Sequence, residues 1–354
     1  MFRSVRIQNF RQFKDLELKN LGRINLITGQ NNTGKTSLLE ALFLLDNPND
    51  PTRTIIAANF RGIDRPGSET PELWEWLFHV RQLDQQIELE SEDGDGGRTH
   101  LKVNLSRGSL IPAARNGDAS IAGHAAPFVT SALPLPTLVY DHVTQSGQHL
   151  ETRLQWTSQG LVLEPDRRGA GREGFFLPYH YTPGESEAGR FSQLELIGRE
   201  AAVVDALRIV EPRLKKLTVL NLGGRSSVYA DLGQFPLVPM AMMGQGFSKL
   251  LTIVSAMVLR EGPIYLVDEI DDGFHYSVLP AVWKAIIAAV HKHDVQLFAT
   301  THSLEAIEAA VEGSEEYEGS LAFYRLERRN DDIEVVMGED SRLRSAVSVG
   351  AELR

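Results

Sequence analysis

Cysteine is absent from all 354 residues. No disulfide framework or thiolate metal centre can form, which suits a chain kept in a reducing compartment. Long apolar runs are missing too. The longest, such as "LLTIVSAMVL" at 250–259, falls short of the roughly 20 residues that cross a bilayer. The opening "MFRSVRIQNF" carries no apolar core of the signal-peptide kind. A cytoplasmic location without membrane contact is therefore expected. Positive charge is in deficit: the formal net charge is −11, which argues against a long basic surface for non-specific duplex binding. Local basic patches remain possible, and the cluster of Arg208, Arg213, Lys215 and Lys216 reads as a solvated helix face. Heptads and internal repeats are lacking, so no long coiled coil leaves the body.

What remains is a chain with 42% hydrophobic and 23% charged residues, enough to bury a substantial core. Its length favours two lobes or one domain with a large insertion. The alternation in "RSVRIQNF" and "KDLELKN" predicts a hairpin with one buried face. A short apolar strand, "RINLITG", follows, and "SLLEALFLLD" has helical spacing. "TPELWEWLFHV" predicts a second amphipathic helix, and "QQIELESE" starts a strand. From about Asp93 to Glu187 short strands alternate with Gly-, Pro- and Ser-rich loops. Helical periodicity returns in "QLELIGREAAVVDALRIVEPRLKKL", read as one long amphipathic helix with a break before Pro212. Strands and helices then alternate, as in a parallel α/β sheet, and a hairpin, "SLAFYRLERR" and "DIEVVM", closes the chain.

The stretch "GQNNTGKT", Gly29 to Thr36, fits the spacing G-x-x-x-x-G-K-[ST] between a strand and a helix. Gly29 and Gly34 allow the sharp turn that points the N–H groups of Asn31, Asn32, Thr33 and Ser37 inward at phosphate oxygens. Lys35 places an ammonium on the β and γ phosphates. Thr36 offers a hydroxyl to Mg²⁺, and the helix presents its positive end. The expected ligand is ATP with Mg²⁺.

"IYLVDE" ends an apolar strand on Asp268 and Glu269. Beside a phosphate loop, such an aspartate holds the metal and such a glutamate orients the attacking water. "VQLFATTHS" ends another strand on His302, where an imidazole would meet the γ-phosphate or the water. Three strands with polar C-terminal ends converge at one sheet edge in open α/β folds. His291 and His293 lack a nearby third ligand and read as a solvated helix end.

Taken together, "IQNFRQFKDLELKNLGRINLITGQNNTGKTSLLEALFLL", "MGQGFSKLLTI", "IYLVDEIDDGFHYS", "VQLFATTHS" and the closing "GAELR" resemble the ATP-binding-cassette ATPases, in the branch of RecF, SMC-type proteins and OLD nucleases. The resemblance implies an α/β ATPase head with a mixed central sheet, an N-terminal antiparallel hairpin, and an inserted strand-rich and helical lobe. The implied division is 1–92 (phosphate-loop part), 93–190 (inserted lobe) and 191–354 (helical lobe, signature, Asp–Glu strand and His302).

It also implies that "MMGQGFSKLL" is a signature loop, with Gly244 and Gly246 approaching a nucleotide held by a second copy of the chain. Lys249 would add positive charge there. Here "MGQG" replaces the more usual "LSGG". A plain glycine turn before a core helix is the alternative. Arg11 is similar to a nucleotide-contacting arginine of SMC-like relatives, or is a surface residue of the hairpin turn. Asp271 and Asp272 would lie in the loop that couples the two sites. Gln82, Gln85 and Gln86 fall near the place of a metal-bridging glutamine, without singling one out.

The function implied is Mg²⁺-dependent ATP hydrolysis by a head-to-head homodimer, in DNA repair or phage defence. The alternative is an ATP-clamped scaffold for a separate nuclease or effector. The stretch after His302 is too short for the nuclease domain of OLD proteins, so DNA binding stays open and DNA cutting is not expected of this chain.

Overall fold

The computed structural model describes residues 1–59, 61, 74–106, 136–144, 147–157, 160–165, 173–181, 184–233, 236–260, 264–330 and 332–338. The first hairpin pairs β1 (Phe2–Phe10) with β2 (Phe13–Leu18), antiparallel. Strand β3 (Ile24–Gly29) is buried along its whole length and leads into helix α1 (Lys35–Asp46) and helix α2 (Arg53–Asn59). The helix expected over "TPELWEWLFHV" is not continuous. Its first residues lie outside the described ones. Trp74 and Glu75 are helical, and the chain then runs through a turn at Trp76 and Leu77, a single bridge from Phe78 to Phe10, and a short 3-10 turn at His79–Arg81. The aromatic rings of Trp74 and Phe78 are wanted by the core beside β1, and that tertiary demand overrides the helical spacing.

Strands β4 (Ile87–Asp93), β5 (Arg98–Ser106), β6 (Thr137–Val143), β7 (His149–Thr157) and β8 (Gly160–Glu164) add to the hairpin in the order β2-β1-β4-β5-β6-β7-β8. The strand-rich stretch thus lengthens the N-terminal sheet. Strand β9 (Phe175–Leu177) instead crosses to the second sheet.

The expected long helix over 193–217 is two helices, α3 (Glu185–Leu196) and α4 (Glu200–Arg208). Gly198 sits at φ 68°, a conformation that an uninterrupted helix cannot hold, and the amide of Arg199 turns back to the carbonyl of Leu194. A tight hairpin follows: β10 (Lys216–Leu222) and β11 (Arg225–Asp231) are joined by Gly223 and Gly224, both at positive φ. A two-residue strand β12 (Val238–Pro239) pairs with β11.

Next come helix α5 (Gln245–Leu259), strand β13 (Ile264–Val267), helix α6 (Leu279–Lys292), strand β14 (Gln296–Thr300), helix α7 (Leu304–Gly313), and the closing hairpin of β15 (Leu321–Arg329) and β16 (Asp332–Gly338). The second sheet runs β16-β15-β3-β14-β13-β9. All its neighbours are parallel except the β15–β16 pair.

Period-2 alternation assigns each strand's side chains to one of two cores. Leu26, Tyr265, Val267, Leu297 and Ala299 pack with α5, α6 and α7 on one face. Ile27, Leu266 and Phe298 pack with α1 and the N-terminal sheet on the other. A sheet covered on both faces needs apolar strands throughout, which is how these strands read. Because β3, β14 and β13 are parallel neighbours, their carboxyl ends share one edge. Among the described residues no helix is long and apolar enough to cross a membrane.

Candidate nucleotide site

The loop after β3 has the backbone its spacing demands. Gly29 stands at φ 142° and Gly34 at φ 93°. A Cβ on Gly29 would lie 2.5 Å from the carbonyl oxygen of Leu326, and one on Gly34 would lie 2.7 Å from the Phe13 ring. Both positions therefore need glycine for space as well as for backbone angle. The β1–β2 turn and β15 brace the loop: Gln12 Nε2 donates to Asn32 Oδ1 at 2.6 Å, and Arg328 of β15 donates to the Asn32 carbonyl at 3.1 Å. Thr33 closes the loop on itself by donating to the Gln30 carbonyl at 2.8 Å.

Lys35 is buried, and its Nζ donates to the carbonyls of Gly29 (2.8 Å) and Gln30 (3.1 Å). Burial pulls its pKa below the ordinary lysine value, opposed by the nearby charges of Glu269, Asp268 and Asp271. One residue on, Thr36 Oγ1 donates to Asp268 Oδ2 at 2.8 Å. The other carboxylate oxygen, Oδ1, accepts from Thr300 Oγ1 at 2.6 Å. Thr300 Oγ1 in turn accepts the amide of Glu269 at 2.8 Å. Strand β14 thereby holds the Asp–Glu turn in place, a role that the sequence reading assigned to no residue.

Glu269 adopts φ 45°, rare outside glycine, and its side chain is a quarter exposed. Its Oε1 lies 3.8 Å from His302 Nδ1, within ion-pair reach. Burial raises the Glu269 pKa, His302 lowers it, and the balance leaves it above the ordinary carboxylate value. Asp271 accepts from Thr301 Oγ1 at 2.6 Å, so the loop after β13 is also tied to β14.

Arg11 turns away from a free surface role. It stands at φ 54° in the hairpin turn, and its Nε meets Glu40 at 2.8 Å. Glu40, 1% exposed on α1, is also gripped by Arg61, which donates to Ser37 Oγ as well. Arg61 and Glu40 carried no motif signal, because their pairing spans a loop. Gln82, Gln85 and Gln86 give their backbone carbonyls to Asn9 Nδ2. His291 stacks on Tyr317, with ring centroids 4.0 Å apart.

The segment expected as a signature begins α5, with Gly244 at its N-cap. Gly244 stands at φ 97° with open space where a Cβ would go, and Met242 beside it is 78% exposed. Gly246 differs. It is buried, and a Cβ there would lie 2.4 Å from the Gly273 carbonyl oxygen. Its missing side chain is thus required within the chain, by close packing on the loop after β13. Ser248 donates to the Met240 carbonyl at 3.4 Å, inside the core.

The residues present fit a metal–nucleotide pair. A hydroxyl and a carboxylate meet at hydrogen-bond distance, as Thr36 and Asp268 would around Mg²⁺, and a glycine-built loop opens the helix that follows. Such a loop, an Asp–Glu strand end and a neighbouring histidine define a phosphate-loop ATPase.

Comparison with known proteins agrees. Residues 1–97 match the family described as AAA ATPase domain, and residues 145–308 match the one described as AAA domain, putative AbiEii toxin, Type IV TA system. An ATP/GTP phosphatase of Helicobacter pylori is 24% identical over 341 residues, covering 87% of each chain. The DNA replication and repair protein RecF of Idiomarina loihiensis is 48% identical over 42 residues, 12% of each chain. An SMC head solved in complex with the C-terminal winged-helix domain of ScpA shares the fold, with a TM-score of 0.51 at 11% identity, over 96% of this chain and 97% of that one. These similarities support an ATPase, built on the α/β fold that the SMC head shares.

Proposed function

We propose that this chain hydrolyses ATP as a head-to-head homodimer, each nucleotide lying between the phosphate loop of one protomer and the signature segment of the other. The observation that carries the site is the 2.8 Å contact between Thr36 and Asp268, with Glu269 next in the chain and His302 facing it. Lys35 and the loop amides hold the triphosphate. Thr36 and Asp268 hold Mg²⁺, which when bound neutralises charge on the phosphates. Glu269 takes the proton of the attacking water, and His302 orients Glu269 or the γ-phosphate.

The in-trans arrangement is supported by the exposed, left-handed Gly244 at the start of α5, whose amide end has no packing partner for a side chain. A helix N-terminus with an open glycine suits a phosphate brought by a second copy. The H. pylori relative named ATP/GTP phosphatase supports turnover, and the relative named for DNA replication and repair supports a role in DNA maintenance.

The test is ATPase activity as a function of protein concentration, beside size-exclusion chromatography of Glu269→Gln with ATP. The reading requires specific activity that rises with concentration and an ATP-dependent dimer of the variant. A monomer under every nucleotide condition would remove the sandwich.

A further inference from the structure

Lys249 sits five residues into the signature segment after Gly244, on the first turns of α5. It is only 3% exposed. Burying an ammonium costs several kcal/mol unless it is well partnered. Its partner is neither solvent nor a carboxylate oxygen. Nζ donates to the main-chain carbonyl of Glu269 at 2.6 Å, a short charge-assisted bond. The same residue's amide is already held by Thr300, so the backbone of Glu269 is fixed on both sides at its left-handed φ. Three residues from Lys249, Gly246 packs on the Gly273 carbonyl. The start of α5 is therefore fastened at two points to the turn that carries the catalytic carboxylate.

We propose that Lys249 is a positioning residue for hydrolysis, tying the Glu269 turn of its own protomer to the helix whose N-terminus serves the partner's nucleotide. This rests on the sandwich reading above. The buried, carbonyl-bound ammonium acts in cis on Glu269. It does not act in trans as an extra cation on the phosphate. The link consists of two hydrogen bonds on the Glu269 backbone and the close packing of Gly246 on Gly273.

The cis assignment can be separated from a trans one by complementation. A Lys35→Ala chain has no working phosphate loop, and a Gly244→Asp chain has no working signature. Each is inactive alone, and their mixture holds one working site, built from the second chain's Glu269 and the first chain's signature. Lys249→Met is then placed on either chain.

The proposal expects the mixture to lose at least tenfold in kcat when the substitution is on the Gly244→Asp chain. It expects less than threefold loss when the substitution is on the Lys35→Ala chain. KM for ATP stays within threefold in both. Loss that follows the Lys35→Ala chain, or no loss in either, overturns it. Lys249→Gln, whose amide can still donate to the carbonyl, recovers most of the rate in the same mixture. A Gln variant as inactive as Met, with unchanged thermal melting, would also count against the backbone contact. If the parent mixture gains no activity at all, the sandwich itself fails, and this proposal falls with it.

Discussion

The hydroxyl of Thr36 donates to Asp268 across 2.8 Å, although 232 residues of chain separate them. That contact exists because β3 and β13 flank β14 in parallel, which brings their carboxyl ends to one edge. The oxygens brought together are those a divalent cation would take, so the sheet order itself assembles the proposed metal position.

Asp268→Asn is expected to lower kcat on the order of 10²-fold, because the site loses the carboxylate proposed to hold Mg²⁺, and with it the cation that would offset the developing negative charge on the phosphates. Nucleotide retention without Mg²⁺ should persist, since Lys35 and the loop amides are untouched. Steady-state ATPase rates and binding of a fluorescent ATP analogue in excess chelator measure the two effects separately.

Gly244 and Gly246 should behave differently. Gly246→Ala forces a Cβ to 2.4 Å from a backbone oxygen and 2.7 Å from the Phe274 ring, so something must shift. Overpacking of this kind costs about 1–3 kcal/mol. Gly244→Ala meets nothing within 4 Å and carries only the strain of φ 97°. Urea denaturation should rank Gly246→Ala as the less stable variant. If Gly244→Ala were the weaker of the two, the packing argument would be mistaken.

How much of this was legible beforehand depends on whether the signal is local. The phosphate loop is a short, rigid arrangement whose glycines and lysine must sit at fixed spacing, so Gly29 to Thr36 stand out in the sequence. The apolar runs ending at Gly29, Asp268 and Thr300 announce buried parallel strands for the same reason. Lys249 could be noticed but not placed, because its partner is a backbone carbonyl, which has no residue signature. Arg61 and Glu40 were silent, since an ion pair between a loop and a helix face leaves no spacing to read. The choice of sheet for β5 to β8 was hidden as well. Alternation says that a strand has a buried face, not which neighbour covers it. The long helix before Pro212 was overread because the left-handed turn at Gly198 costs one glycine and leaves the apolar spacing on either side intact.

Glu187 offers a stability test away from the chemistry. It is 4% exposed, and Thr252 donates to its Oε1 at 3.3 Å. Burial pushes its pKa up to about 7, from an ordinary value of 4.5. The folded state therefore holds a proton that the unfolded chain releases earlier. Stability from this group is fully present below 4.5 and is lost as pH rises through 7. Glu187→Gln should consequently raise the melting temperature at pH 8 relative to the parent and leave it nearly unchanged at pH 5. A gain of equal size at both values would mean the carboxyl is not the cause.

The pH dependence of turnover should report Glu269 and its neighbour. A general base works only when deprotonated, so kcat falls as acidity rises through the pKa of Glu269. Burial is the largest influence on that carboxyl and raises its pKa, so the acid limb is expected above the ordinary glutamate value of 4.5. His302 is the next influence and acts in the opposite direction, favouring the carboxylate. Replacing it by Asn removes that influence while keeping a polar side chain. The acid limb of His302→Asn should then move to higher pH, and kcat should fall most at the acid end of the range. A purely structural histidine would lower kcat by the same factor at every pH and leave the limb in place. Rates measured from pH 5 to 9 at saturating ATP and Mg²⁺, with melting temperatures at each end to exclude unfolding, distinguish these outcomes. An acid limb shifted downward in His302→Asn would mean that the 3.8 Å pair does not govern the carboxylate during turnover.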